Sequence, residues 1–547
     1  MQLSRLAHQA PDTLYVNGSV WSGHGECHGP GGHQALAVSR GRVAALGTDH
    51  DVLALAGPGT EVIDLRRHRV VPGLIDGHAH AVRAGATWAD ELHWSGVKTL
   101  DEALSAIRDA TRASAPGTWI RVIGGWHPTQ FAERRSPSRA ELDAVAPDRP
   151  VYVQALYDLA VLNSTAADAV GLDDWAENLP GGAVERDPAT GRATGVIRGM
   201  GAFNRVLAAM PDPSPEARRA STRAMLADLN ALGLTGVLDP GGFGMAPERY
   251  DTLFDLWRAE ELTARFRLFA SAVDAGQEIA QLEGWLRHTQ AGFGDAMVRM
   301  TGIGEVVHYG CHDFEGLEPF ELDRTAHAEL SAITRRVAER GWPMHIHAVL
   351  DTTIGRILDV WEEVDRDIPI RDMRFSLAHA DTISSRNLHR LATLGAGVIA
   401  DDHQVFKAAA SAERWGSDAM ANVPPLGDLL AAGIPLGAGT DASRASSHNP
   451  WLALWWLHEG RSLDGSTRRA PHHRLTRAKA LELYTRGNAW FSFEEADRGH
   501  LAPGARADLA VLSDDYFSVP AGEIAGITSL LTLVGGKPVH ATGPFDA

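Results

Sequence analysis

The sequence predicts an α/β protein built on a parallel (β/α)8 barrel of the TIM type, and three observations carry that expectation. Short apolar segments alternate with helical stretches through the middle of the chain, and eight such segments can be counted. Several of them end in histidine or a carboxylate, and the chemistry of such barrels sits at the C-terminal strand ends. The two ends of the chain, by contrast, read as strands and turns alone.

From the N-terminus, Thr13-Leu14-Tyr15-Val16 runs into an Asn17-Gly18 turn, a pair that accepts positive φ. Ala35 to Val38 and Val43 to Gly47 form a hairpin about Arg40-Gly41, and Val62 to Leu65 adds a strand. At the far end, Leu501 to Leu512 gives a turn and a strand, and Leu530 to His540 a terminal hairpin. Neither end is long enough for a comfortable core of its own. Together they predict one small β-sandwich, residues 1–69 with 492–547, enclosing a barrel over 70–491. The barrel strands are expected at 70–76, 233–239, 266–273, 296–307, 343–348, 375–381, 396–401 and 434–441. Residues of about 84–215 are too many for one barrel unit and read as an inserted subdomain over the barrel mouth.

Composition narrows the function. A net charge of −18 lacks the clustered basic face that a nucleic-acid partner needs. No apolar run reaches the roughly 18 residues of a membrane span, and Met1 to Ala10 lacks a signal peptide's apolar core. The two cysteines, Cys27 and Cys311, cannot make a disulfide framework, so a cytoplasmic protein acting on a small molecule is expected.

The chemistry begins in Val70-Val71-Pro72-Gly73-Leu74-Ile75-Asp76-Gly77-His78-Ala79-His80. On a strand alternate side chains share a face, so His78 and His80 leave together, half of a zinc-type site. Further strands add His345 and His347, His379 and Asp441, and Glu305 lies inside an otherwise apolar strand. A two-metal hydrolase needs neutral imidazoles on both ions, an anionic bridge and a carboxylate beside the reacting water. His78, His80 and Asp441 would hold one ion, His347 and His379 the other, and Glu305 would bridge them. A buried glutamate is costly unless opposite charge accompanies it, and two cations supply that charge.

Pro72-Gly73-Leu74-Ile75-Asp76-Gly77-His78-Ala79-His80 resembles the first-strand signature of the amidohydrolase superfamily. Residues 139–147, 195–198, 475–480 and 504–512 resemble its amidohydrolase 3 family, which includes D-aminoacylases and N-substituted formamide deformylases. The resemblance implies hydrolysis of the C–N bond of an N-substituted amide, with Asp441 as the catalytic proton carrier and one or two Zn2+ as cofactor. Manganese, iron or cobalt would suit the same ligands. A homodimer is an assembly the resemblance allows. Three departures stand out. Many relatives carry a carboxylated lysine where this chain has Glu305. His347-Ala348-Val349-Leu350-Asp351 matches the fifth-strand pattern only in part, which favours His347 over a flanking His345 as ligand. Tyr309 stands where the family has an aspartate. An aminohydrolase releasing ammonia from a heterocycle is the main alternative, but related deaminases place a glutamate soon after the fifth-strand histidine, and here Leu350 and Asp351 come next. A lyase or decarboxylase on the same scaffold is the other.

For the substrate, Trp126 and His127 on the inserted loop are expected to cover the site, with Tyr157, His308 and Tyr309 as walls and His345 beside them. Arg198 is the candidate for a substrate carboxylate. Trp451, Trp455 and Trp456 suit an aromatic substrate portion, or the packing of a helix on the barrel.

Overall fold

The computed structural model describes residues 10–25, 32–314, 316–317 and 320–546; Cys27 lies outside them. Its centre is a run of eight parallel strands: β1 (Leu74–Asp76), β2 (Leu234–Asp239), β3 (Arg265–Ala270), β4 (Val298–Glu305), β5 (Met344–Ala348), β6 (Ser376–His379), β7 (Gly397–Asp401) and β8 (Leu436–Gly439). Each pairs with its neighbour in sequence, and nearly every residue in them is buried, as strands wrapped by helices outside and packed within must be.

The barrel closes between β8 and β1 through few backbone bonds. Gly77 N donates to Ala438 O at 3.0 Å. Fully buried Asn488 completes the seam: its Nδ2 donates to Ile75 O and Ala438 O, both at 2.6 Å, and its Oδ1 accepts from Ala438 N at 3.0 Å. A Cβ at Gly77 or Gly437 would come within 2.4 or 2.3 Å of that Oδ1, so the seam has room only for glycine.

The expected first strand, 70–76, divides at Gly73. Arg69–Pro72 joins a five-stranded sheet, pairing with Ser19–Val20 and with Leu509–Leu512, and only Leu74–Asp76 enters the barrel. A Cβ on Gly73 would sit 2.3 Å from Thr235 Cγ2, so a residue shared by two sheets must be the smallest one. A four-stranded sheet from residues 13–64 packs on the five-stranded one, and Tyr15, Leu36 and Val43 meet Val70, Leu509 and Leu533 in one apolar cluster.

Between β1 and β2 the chain builds a separate six-stranded sheet over Ile120–Arg198. Its own core includes Trp94, Trp126 and Phe131, so it does not borrow apolar cover from the barrel. Gly124 (φ +72°) presses on the loop after β8: a Cβ there would lie 2.5 Å from Arg444 Cα. At the opposite end, buried arginines plug the barrel floor. Arg267 on β3 makes a two-pronged pair with Glu494 at 2.7 Å, Arg265 holds Asp508 at 2.8 Å, and Arg498 fills the space left by Gly236. Trp451, Trp455 and Trp456 lie on the helix Pro450–Glu459, buried in the barrel's apolar core, and Trp451 Nε1 donates to Leu232 O at 3.0 Å. They pack the helix and do not face a substrate.

Candidate metal centre

Six side chains from five strand ends converge at the C-terminal rim. His78 and His80 follow β1, Glu305 ends β4, His347 is on β5, His379 ends β6 and Asp441 follows β8. All six are buried. Asp441 Oδ1 is 3.1 Å from His80 Nε2 and 3.7 Å from His78 Nε2, while Glu305 offers Oε2 to His78 Nε2 at 3.2 Å and Oε1 to His80 Nε2 at 3.4 Å. On the other side His379 Nε2 and His347 Nδ1 are 2.9 Å apart, with Glu305 Oε2 3.7 Å from His347 Nδ1. Ligand atoms about 2.1 Å from one tetrahedral ion lie roughly 3.4 Å from each other, the spacing seen here. The donors fall into overlapping groups, among them His78–His80–Asp441 and Glu305–His347–His379, with His78–His379–Asp401 and His379–His403–Asp441 across them, and Glu305 touches both of the first two.

The donor set fits a divalent cation. His78 Nε2 and Glu305 Oε2 are buried without a hydrogen-bond partner, an arrangement that is costly unless something else binds them. Burial opposes a charge on His78, yet Asp401 and Glu305 outweigh it and push the imidazole up to about 10. So much negative charge around a buried imidazole is a demand for positive charge, which a metal meets while leaving the ring neutral.

A further ring of groups aims the ligands. His80 Nδ1 lies 2.9 Å from Gly241 O, which turns Nε2 to the centre. His78 Nδ1 meets His345 Nε2 at 3.0 Å, and His345 Nδ1 meets Ser376 Oγ at 2.8 Å. His347 Nε2 rests against Asp313 Oδ1 at 3.1 Å and stacks on His312 at 3.7 Å, and His379 Nδ1 is 2.7 Å from Asp401 Oδ2. Burial drives the Asp401 carboxyl well above the usual carboxylate range, and the nearby carboxylates add to it while His78 opposes. Asp76 Oδ2 accepts from Thr440 Oγ1 at 2.6 Å, tying the β1 turn to the β8 turn.

A cavity of about 1010 Å³ opens beside this centre, between the inserted subdomain and the barrel rim. Of the residues expected along it, Tyr309 is present, edge-on to Phe243 at 5.3 Å. Tyr157 lies close by, sharing a hydrogen bond with Arg83. His127 is half-buried, its Nε2 3.1 Å from Asp158 Oδ2. Four expectations need correction. Trp126 is fully buried in the insertion's own core, its Nε1 bound to Gln154 O at 2.8 Å; an aromatic on a glycine-rich loop can turn inward as easily as outward. His308 points away from the cavity to Glu329 at 2.6 Å and caps the turn at Gly310. His345 lies behind His78, out of a substrate's reach, and serves as its support. Arg198 is exposed at the end of an inserted strand, its Nη1 3.5 Å from Asp158 O, and does not line the cavity.

Asp401 and Asp313 were not among the sequence-based expectations. Asp401 carried the signal used for Asp441, a carboxylate ending an apolar strand. Asp313, four residues after Tyr309, gave none, because a loop position does not reveal which ring it will meet. A further group, Asp428, His472 and His473, lies away from the rim, and both His473 ring nitrogens are engaged, with Gly427 N and Asn422 Oδ1 at 3.1 Å.

The model of the amidohydrolase family matches residues 61–540, from the first small sheet to the last strand. The chain belongs to the amidohydrolase family. It is 28% identical over 522 residues to the N-substituted formamide deformylase of Arthrobacter pascens, covering 92% of this chain and 94% of that protein. Its fold is similar to that of an uncharacterised metal-dependent hydrolase from Pyrococcus furiosus (TM-score 0.65, 22% identity, 92% of this chain and 100% of that one). It is also similar to a variant of the atrazine chlorohydrolase TrzN from Arthrobacter aurescens TC1 complexed with zinc and atraton (TM-score 0.54, 17% identity, 97% and 95%). As an amidohydrolase the protein is a hydrolase, and none of its described helices is long and apolar enough to cross a membrane.

Proposed function

We propose that this amidohydrolase cleaves the C–N bond of an N-substituted amide, using one or two divalent ions, zinc foremost, held by His78, His80, Glu305, His347, His379 and Asp441. The observation that carries the reading is the convergence of buried imidazole and carboxylate atoms at 3.1–3.7 Å, two of them without hydrogen bonds, beside an open cavity. Similarity to a formamide deformylase along nearly the whole chain supports the amide. Bound ions of this kind supply Lewis acidity, polarising a carbonyl oxygen and lowering the pKa of water to about 7.

The protein's own groups do the rest. Burial raises the Asp441 carboxyl, but positive charge beside it, on His80 and His78 without an ion and on the cation when the rings are neutral, outweighs burial and holds Asp441 below its ordinary value. It therefore enters the reaction as a base, takes the proton of the attacking water and returns it to the departing amine nitrogen as the C–N bond breaks. Its Oδ1, 3.1 Å from His80 Nε2, is fixed for both transfers. His345, Asp313 and Asp401 keep the imidazoles from turning. The inserted subdomain walls one side of the cavity and restricts bulk water.

The test is a panel assay on metal-loaded enzyme, scoring amine release from N-substituted formamides and N-acyl amines, ammonia release from heterocycles and carbon dioxide release from carboxylic acids. Amine release that vanishes in Asp441→Asn, with the melting temperature kept, supports the reading. Ammonia or carbon dioxide as the principal product overturns it.

A further inference from the structure

At the barrel floor every buried arginine has a carboxylate for its guanidinium: Arg265 has Asp508, Arg267 has Glu494 and Arg498 has both. The cavity beside the metal centre departs from that habit. Arg83, three residues after His80, and Arg444, three residues after Asp441, both line it, and Arg121 lies at its back. Among the described residues none of the three has a carboxylate within ion-pair distance. Arg83 Nη2 and Arg121 Nε are buried without any hydrogen-bond partner. Removing a guanidinium from water without a counter-charge is among the more expensive things a fold can do.

At Arg83 burial lowers the pKa, but the charge and hydrogen bond of Tyr157, with Asp441 and Glu305 further off, outweigh it and hold the guanidinium above its ordinary value; no carboxylate pairs with it. Asp441 and Glu305 act on Arg83 from a distance, but their charge is committed to the metal centre. Glu91, which faces Arg444 and Arg121, is held by Thr87 Oγ1, and its burial pushes it up to about 7, so it is only partly charged near neutrality. Burial and then the charge of Arg83 both lower Arg444, so the two cations strain against each other. The same cavity is also lined by aromatic rings: Phe243 stacks on Phe314 at 5.6 Å and 12°, and Tyr309 meets Phe243 edge-on.

We infer that Arg83 and Arg444 form a receptor for an organic carboxylate carried on an apolar or aromatic body. The inference deepens the hydrolase reading of the same site and rests on it for the reaction after binding: the substrate would be an amide that also bears a carboxylate. The anion would sit between the two guanidinium groups, its body would lie against Phe243 and Phe314, and its scissile bond would reach Asp441. The substrate-carboxylate role expected for Arg198 thus passes to two residues that flank the proposed ligands in sequence.

The experiment compares benzoate with its neutral isostere benzamide, measuring both affinities by calorimetry on the metal-loaded protein. The wild type should favour benzoate by about tenfold or more, and Arg83→Met and Arg444→Met should each cut the benzoate-to-benzamide affinity ratio by about ten- to a hundredfold. Arg83→Lys should fall between. Should Arg83→Met fail to fold, as a melting curve would reveal, Arg444→Met decides the matter. A wild-type ratio near one, or no benzoate binding, overturns the inference. So does a ratio unchanged in the methionine variants, which would put the anion on the metal ions instead. Because binding is read without turnover, a protein that hydrolyses no amide yet retains this ratio counts against the proposed reaction and leaves the receptor standing.

Discussion

Asn488 is the severest test of how the barrel is closed. Its side chain makes three short hydrogen bonds across the gap between β1 and β8, where the backbone contributes little. Replacing it with alanine strands Ala438 N and deprives Ile75 O, while Ala438 O keeps its bond from Gly77 N. One or two buried polar groups left unmade cost about 2–4 kcal/mol. At ~2 cal/mol/K per residue, a chain this long gains about 1 kcal/mol/K of unfolding entropy, so the variant should melt about 2–4 °C lower. The same seam sets the separation of the proposed metal ligands, since Asp441 N donates to His78 O at 2.8 Å across it. Metal affinity should therefore fall together with stability, by about tenfold, in the range found for supports that lie one shell behind the ligands. Scanning calorimetry with and without chelator, and a competition titration for zinc, measure both. If Asn488→Ala melts within a degree of wild type and binds zinc as tightly, the side chain is not what closes the barrel.

Other outcomes are expected of the same structure. Asp441→Asn should keep its fold and lose about 10²–10⁴-fold in kcat, read by amine release. Chelation should abolish turnover and lower the melting temperature, with both restored by zinc, because buried His78 Nε2 and Glu305 Oε2 are otherwise unpartnered. His345→Ala should weaken metal binding about ten- to a hundredfold while leaving KM for a saturating substrate nearly unchanged, since the ring touches His78 and not the cavity. Burial raises Glu494, but Arg498 and the paired Arg267 outweigh it and hold the carboxyl far below its usual value. Its stabilising contribution is complete above about pH 4.5 and is lost as pH falls below that. Glu494→Gln should accordingly cost about 3–5 kcal/mol at neutral pH and flatten the acid side of the stability profile, measured by urea unfolding across pH.

The barrel was legible because its strands are buried on both faces and so read as unbroken apolar runs: the segments expected at 233–239, 396–401 and 434–441 fall on β2, β7 and β8 to within a few residues. The histidines and carboxylates at their ends stood out against that background. What alternation could not convey was the hand-over at Gly73, because one continuous apolar run looks the same whether it serves one sheet or two. Side-chain direction outside regular elements was equally hidden. His308 sits near Glu305 in sequence but turns toward Glu329, and Trp126 on the inserted loop turns into a core, whereas Arg83 and Arg444 turn into the cavity. Asp401 shows a different limit: it ends its apolar strand as a carboxylate, but nothing in the sequence says that it meets His379.

The division at Gly73 bears on how the protein comes into being. Arg69–Pro72 finds its antiparallel neighbour only in Leu509–Leu512, more than four hundred positions downstream, and Asn488 must also be in place before β1 is gripped from its β8 side. On the ribosome, then, His78 and His80 emerge early, gain their first hold from β2 through Ala79 N and Leu238 O, and gain the β8 side and the Leu509–Leu512 strand only much later. A nascent chain halted ahead of Leu509 would own all eight barrel strands and all six proposed ligands, yet lack the antiparallel partner of the strand that leads into β1.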